Sequence, residues 1–340
     1  MIAHFGLDIG SDTIKVAQVS KEKDKINLIS VGFSKTPGSG MLSDSDKDLA
    51  TVGQAVKQLK EEAKISAPGV VLAIPDRNVF NQVIELPKMT EGELEQAIPW
   101  EAEHLVPQPL SEVNLDWEVI DDDSDKSKEN IKVFLVAVST NIVKKYIKVI
   151  KAADLEPVAL ETETLSTIRC LKPIINKGNL VIVNLGVKSA EIIVLGNGKL
   201  FLTRSLPASG EAITRAIGSS LNLEINVAEE YKKNYGLSNQ MEGKVKKIIE
   251  PVLGMITNEI KKAIHFFEEK EKAQINLMIL CGGTSLLPGL TEYFTKSLGV
   301  ETQIADPFSL FDVSRFKDTQ NIRRSSPLFV NALGLAMREK

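Results

Sequence analysis

Residues 7–19, LDIGSDTIKVAQV, read as a strand, a tight polar turn and a second strand, and residues 183–195, VNLGVKSAEIIVL, repeat that template. Phe5, Leu7 and Ile9 alternate before the first turn, and Ile14, Val16 and Val19 follow it. This is the period of strands with one buried face. At one constant offset Gly186 falls on Gly10, Ser189 on Thr13 and Asn184 on Asp8. An internal repeat of a whole supersecondary unit points to two similar halves. A third glycine turn, LCGGTSLLPGL at 280–290, follows an apolar strand and opens a helix.

The turn chemistry suits an anionic ligand. A glycine lets backbone N–H groups approach a phosphate, and the small hydroxyls of Ser11 and Thr13 add donors. Asp8 can order water around a divalent cation, and Lys15 can neutralise phosphate charge. An ordinary β-hairpin with solvated polar residues is the alternative for the first turn alone. Two such hairpins plus the strand–Gly-Gly–helix turn are a more specific signal.

Composition removes several function classes. The 340 residues suggest about two domains. Hydrophobic residues make up 43% and charged residues 25%, as in ordinary globular chains. A formal net charge of −4 leaves no basic field for nucleic acid. Cys170 and Cys281, both in apolar surroundings, read as reduced core residues of a cytosolic protein. The widely spaced histidines and cysteines offer no transition-metal cluster. Asp8 and the Gly-Ser turn interrupt any signal-peptide core, and no apolar run approaches the roughly 20 residues that span a membrane. The expectation is a cytoplasmic protein, or one held at a membrane through a partner.

In chain order, 26–33 extends the opening hairpin to a three-stranded meander, and the Pro-, Gly- and Ser-rich segment 36–48 is a loop. Leu49, Val52, Val56, Leu59 and Ala63 recur at helical spacing, and 70–74 is a short buried strand. Residues 76–151 then read β-α-β-β-α. Thr90 and Glu93 form a capping box at the head of that block's first helix. Pro99 is expected to kink or break the helix. The run DDDSDKSKEN at 121–130 reads as a solvated hairpin loop. A helix over 162–171 joins the halves. The second half carries helices at 210–221, 227–235 and 244–270, a strand at 275–280, a helix at 286–298 and a final helix at 327–338.

The three glycine turns resemble the phosphate-1, phosphate-2 and adenosine motifs of the actin, Hsp70 and sugar-kinase superfamily. That resemblance implies an α/β, actin-like (ribonuclease-H-like, duplicated) two-lobed nucleotide-binding fold. Actin and Hsp70 lack the 76–151 block, whereas FtsA and the type IV pilus assembly protein PilM carry an inserted subdomain there. Residues 86–120 are similar to the PilM insert, through Trp100-Glu101-Ala102-Glu103, Pro107, Pro109 and Val113-Asn114-Leu115-Asp116. Glu211 before Ile213-Thr214, Ala228-Glu229-Glu230-Tyr231-Lys232 and Ala332-Leu333-Gly334-Leu335-Ala336 extend the likeness over essentially the whole chain. Pro99 departs from it, standing where the family has a non-proline helical residue. The resemblance implies four bodies: 1–75 with 152–177 and 326–340, the insert 76–151, 178–209 with 271–325, and 210–270.

It also implies a ligand, ATP with Mg²⁺, between the halves. Gly10, Ser11, Asp12 and Thr13 would hold phosphates from one side, and Gly186, Val187, Lys188 and Ser189 from the other. Lys15 would reach the β/γ-phosphates and Asp8 would hold Mg²⁺ through water. Glu229 and Lys232 would face the nucleoside, although an exposed i,i+3 ion pair is the alternative. Gly282, Gly283 and Thr284 would let the adenosine lie flat. Glu161, at the start of the connecting helix, falls where the superfamily positions the attacking water. Asn184 stands where the superfamily has an acidic residue, and an amide supplies no charge to metal-bound water. ATP is therefore expected to bind with slow or negligible turnover.

The PilM likeness implies a partner, the N-terminal cytoplasmic peptide of a PilN-like inner-membrane protein, and contact with other pilus platform proteins. The peptide groove lies near the insert; residues around Trp100 and Leu105 read either as part of it or as plain core. No nucleic acid and no direct membrane insertion are expected. An FtsA-like division protein would carry a C-terminal linker and amphipathic membrane helix, and here the sequence stops at Lys340. A small-molecule kinase would need a carboxylate base beside an acceptor pocket, and the insert shows no sugar-binding cluster of Asp, Asn and Trp.

Overall fold

The computed structural model describes residues 3–22, 25–120, 129–175, 178–314, 316 and 319–339. The chain opens with the meander β1 (His4–Ile9), β2 (Thr13–Glu22) and β3 (Lys25–Lys35), then α1 (Asp46–Glu62) and β4 (Gly69–Ile74). Every residue of β4 is buried, as in a strand covered on both faces. The 76–151 block follows as β5 (Val79–Pro87), α2 (Glu91–Leu105), β6 (Val113–Val119), β7 (Asn130–Ser139) and α3 (Thr140–Ala152). Next come β8 (Glu156–Thr162) and the connecting helix α4 (Glu163–Leu171).

The second half repeats the plan with β9 (Leu180–Leu185), β10 (Ala190–Gly196), β11 (Lys199–Leu206), α5 (Gly210–Leu221), α6 (Ile225–Tyr235) and α7 (Lys244–Glu271). It closes with β12 (Leu277–Cys281), α8 (Leu290–Leu298) and β13 (Glu301–Ile304). Two helices, α9 (Thr319–Arg324) and α10 (Val330–Ala336), follow. The first sheet runs β3-β2-β1-β4-β8 and the second β11-β10-β9-β12-β13, so the two share one topology. In each, an antiparallel meander is extended by two parallel strands. The repeat visible in the sequence is thus a repeat of whole sheets.

Apolar periodicity builds the cores. Leu49, Val52, Val56 and Leu59 of α1 pack on Leu7, Val16, Val70 and Leu72. Ile249, Ile256, Ile260 and Phe267 of α7 pack on Val181, Ile192 and Met278. The block's third sheet, β5-β7-β6, buries Ile84, Val133 and Leu135 against Leu94, Ile98 and Ala102 of α2. The final helix ties the halves together. A Cβ at Gly334 would stand 1.9 Å from the Ser166 carbonyl oxygen, so α10 meets α4 at backbone contact distance.

The Thr90–Glu93 capping box is present at the head of α2. The helix then runs through Pro99 without a break, so of the kink or break expected there the break does not occur. Pro99 and Glu95, four residues back, are both exposed, so water can satisfy the carbonyl that loses its donor. Trp100 is 72% exposed, which overturns its reading as core. α8 starts at Leu290 because 283–286 forms a 3₁₀ turn and Gly289 adopts φ +79°. Most of the DDDSDKSKEN run lies outside the described residues. No described helix is long and apolar enough to cross a membrane.

Candidate functional site

The two sheets present their hairpin turns to a shared cleft of about 510 Å³. That volume falls within the usual range for small-molecule sites. Asp8, Gly10, Ser11, Asp12, Thr13 and Lys15 line one wall, and Asn184, Gly186, Val187, Lys188 and Ser189 the other. Gly282, Gly283 and Thr284, with Glu229 and Lys232, close one end. Three separate sequence motifs therefore meet in one cavity.

Each hairpin turn is closed by the same bond. The N–H of Gly10 donates to the Thr13 carbonyl at 3.0 Å, and that of Gly186 to the Ser189 carbonyl at 3.0 Å. Thr36 braces the first turn by donating its hydroxyl to the Gly10 carbonyl at 2.8 Å. In the second turn the Gly186 carbonyl is a hub. It accepts from Ser209 Oγ at 2.6 Å, Thr284 Oγ1 at 2.9 Å and the Gly210 N–H at 3.2 Å. The β9–β10 turn, the head of α5 and the third glycine turn are thereby fixed to one atom.

Side-chain charges differ between the walls. Asp8 and Lys15 are cross-strand partners, with Nζ 3.0 Å from Oδ2. Lys188 pairs with Glu211 at 2.5 Å, and that hydrogen bond holds the Glu211 carboxyl below its ordinary range. Glu229 and Lys232 do not form an exposed pair: Lys232 is only 8% exposed. Lys232 Nζ lies 2.6 Å from Glu229 and donates to Thr214 Oγ1 at 2.9 Å, while Thr214 donates to Glu229 at 2.6 Å. Burial raises the Glu229 pKa, but the bonds from Lys232 and Thr214 outweigh it and leave the group low.

The third turn offers a flat surface. Gly282 holds φ +81°, and a Cβ there would sit 2.5 Å from Asn184 Oδ1. A Cβ on Gly283 would meet no atom within 4 Å. Backbone is thus open to a planar group at Gly283, with the apolar Leu286 and Val187 also on the cleft. These features fit a nucleotide: phosphate-sized turns on two sides, cations at Lys15 and Lys188, and bare backbone for a base.

Glu161 is not in the cleft, contrary to expectation. It lies in β8, paired with Ala73, because the strand continues to Thr162 before the helix begins. The residue is 8% exposed, and its carboxylate takes Arg169 at 2.5 and 2.8 Å, together with Arg338. The carboxylate of this connection that lines the cleft is Glu163, the first residue of α4, beside Asp8, Asp12, Glu191 and Glu229. Thr162 caps that helix by accepting from the Leu165 N–H at 3.3 Å.

Further residues were not singled out from the sequence. Arg77 spans the two turns, 3.5 Å from Ser11 Oγ and 3.4 Å from Ser189 Oγ. Asp76 accepts from Asn81 at 2.7 Å and from the Thr164 N–H and hydroxyl at 2.9 and 3.0 Å. Its own N–H donates to Glu191 Oε1 at 3.3 Å. Asp76, Glu163 and Glu191 bring carboxylate oxygens within 4.8 Å of one another. Burial, then the charge of Glu163, pushes Asp76 up to about 7. Burial likewise raises Glu163, and burial with the charges of Glu163 and Asp76 raises Glu191 well above the carboxylate range.

Comparison with known proteins agrees with this architecture. The family model described as type IV pilus assembly protein PilM matches residues 6–340. A solved PilM-PilN type IV pilus biogenesis complex superposes with a TM-score of 0.88 at 29% identity, covering 99% of this chain and 98% of that one. MreB 5 of Spiroplasma citri bound to AMPPNP superposes with a TM-score of 0.51 at 13% identity, covering 97% and 94%. Cell division protein FtsA of Streptococcus pneumoniae serotype 2 (strain D39 / NCTC 7466) is 21% identical over 345 residues, 89% of this chain and 75% of that protein.

Proposed function

This chain belongs to the type IV pilus assembly protein PilM family, with an actin-like fold, and we propose that it is an ATP-binding scaffold recruited to the inner membrane by the N-terminal peptide of a PilN-like partner. The observation that carries the nucleotide half is the meeting of two like glycine hairpins and a Gly-Gly turn in one cleft. MreB 5 of Spiroplasma citri, which shares the fold, has been solved with AMPPNP bound. The partner half is supported by the likeness to the PilM-PilN complex and by Trp100, which α2 leaves open to solvent.

In this reading the turns at 10–13 and 186–189 bind phosphates through backbone N–H groups and hydroxyls. Lys15 and Arg77 neutralise them. Asp8 holds Mg²⁺, whose chemistry is to screen phosphate charge while keeping much of its water. Glu229 and Lys232 stand beside the nucleoside, already fixed to Thr214. Glu163, not Glu161, is the carboxylate available to orient water. Asn184 supplies no second charge, so hydrolysis is slow or negligible. The role is that of a loaded scaffold on the cytoplasmic side of the membrane, which meets other pilus platform proteins.

A labelled PilN N-terminal peptide titrated with the full chain tests the partner half. We expect binding that weakens at least about fivefold in Trp100→Ala, the range for losing one aromatic anchor. Equal affinity in that variant would place the peptide elsewhere, and no binding by the unmodified chain would overturn the partner assignment.

A further inference from the structure

We propose that Asp76, Glu163 and Glu191 form a direct site for one divalent cation between the two sheets, occupied without any nucleotide. The inference does not rest on the ATP reading. It starts from where the three side chains originate. Asp76 follows β4 and Glu163 opens α4, both on the first sheet's side, while Glu191 comes from β10 of the second sheet. Three acidic groups brought together from three elements and two sheets are too close to coexist as free carboxylates.

The acid cluster alone would not define a site; the second observation is Glu191. This residue is 2% exposed, and its Oε2 has no hydrogen-bond partner, although Oε1 accepts from the Asp76 N–H. A buried acceptor without a donor costs free energy until a cation or a proton reaches it. Neighbouring positive charge is limited. Lys15 is bonded to Asp8, and Arg77 is turned toward Ser11 and Ser189.

Ligand type and spacing select the ion. All-oxygen donors favour Mg²⁺, Ca²⁺ or Mn²⁺ over softer metals. Oxygens up to 4.8 Å apart can sit on opposite sides of an ion with bonds of about 2.4 Å, within the Ca²⁺ range. Because Glu191 lies on one sheet and the other two ligands belong to the other, the bound ion would tie the walls of the cleft together.

The test uses the full chain, stripped of metal and nucleotide, titrated with Mn²⁺ while the free-ion paramagnetic resonance signal is read. We expect about one ion per chain below millimolar concentration. Glu191→Gln should bind at least about tenfold more weakly. Gln can still accept from the Asp76 N–H, and its amide can donate to Glu163, so the variant is expected to fold. Asp76→Asn is the second variant, since the Asn81 amide can turn to accept from it. Asp8→Asn should keep its affinity within about threefold, which separates this site from the phosphate turn. No Mn²⁺ bound by the unmodified chain would mean that the cluster only shares protons, and the proposal fails. It fails equally if Glu191→Gln and Asp76→Asn bind as the unmodified chain does, or if Asp8→Asn loses as much as they do.

Discussion

The two glycine hairpins have the same backbone and different charges. Each turn is closed by a glycine N–H bonded at 3.0 Å to a carbonyl three residues on. At the offset that lays Gly186 on Gly10, Asn184 lies on Asp8 and Glu191 on Lys15. In the first hairpin the cross-strand pair is Asp8 with Lys15, acid beside base. In the second it is Asn184 with Glu191, an amide beside a lone buried acid. The first hairpin is charge-balanced within itself. The second faces two further carboxylates across the cleft, Asp76 and Glu163, so its balance requires a shared proton or a cation. The repeat therefore preserves the shape that can receive phosphate and divides the side-chain work, ion handling on one wall and coupling between the sheets on the other.

The largest expected effect falls on stability as a function of pH. The Asp76 carboxyl titrates near 7 in the folded protein and near 3.8 when unfolded. Between those values the folded state binds more protons than the unfolded state, so stability falls as pH rises. The cost is absent below about pH 4 and complete above about pH 7, and a shift of this size amounts to a few kcal/mol. Asp8, Lys15 and Arg77 face the cluster as well and set its balance. In metal-free buffer, Asp76→Asn should match the unmodified chain in thermal unfolding at pH 4 and exceed it at pH 8. A constant difference across that range would show that the second wall is not under charge strain.

Lysine truncation compares the walls directly. Lys15→Ala should weaken Mg·ATP binding by about 30- to 100-fold, the loss of a charge-assisted contact of about 2–3 kcal/mol. Lys188→Ala should cost only a few fold, because its side chain is 32% exposed and screened by water, whereas that of Lys15 is 12% exposed. Equal losses by calorimetry would make the hairpins functionally equivalent. Among the glycines, Gly283→Val should lower ATP affinity by about tenfold or more while leaving the melting temperature within a few degrees, since its side chain enters open cleft. Gly10 is a poorer probe, because a Cβ there stands 2.8 Å from the Thr13 carbonyl of its own turn.

The smallest effect is expected from making the second hairpin more like the first. Asn184→Asp places a carboxylate directly across from Glu191, a like-charge pair costing about 1 kcal/mol or less. With Mg·ATP present the added charge should raise ADP production several fold. Unchanged turnover would count against the amide as a brake on hydrolysis.

The hairpins were legible because a strand period of two and a glycine turn are local signals, and repetition doubled them. The cleft's other carboxylates were less visible for distinct reasons. Glu161 and Glu163 differ only in where β8 gives way to α4, a boundary that local pattern does not locate to within two residues. Asp76 and Arg77 follow a six-residue buried strand and acquire meaning only when the second sheet stands opposite them. Glu191 did carry a signal, a charge beside the apolar run IIVL that falls on Lys15 in the repeat. Trp100 was also decidable from the helix itself. Leu94, Ile98 and Ala102 mark the buried face of α2 at intervals of four, and Trp100 falls midway between the last two, on the other side.

The most direct measurement is calorimetric titration of the full chain with Mg·ATP, followed by quantification of ADP in the recovered sample. Binding of one nucleotide per chain with nearly all ATP intact is the result expected of a loaded scaffold. Absence of binding would contradict the assignment of the cleft, and rapid conversion to ADP would contradict its description as a scaffold in which Asn184 leaves the hydrolytic apparatus incomplete.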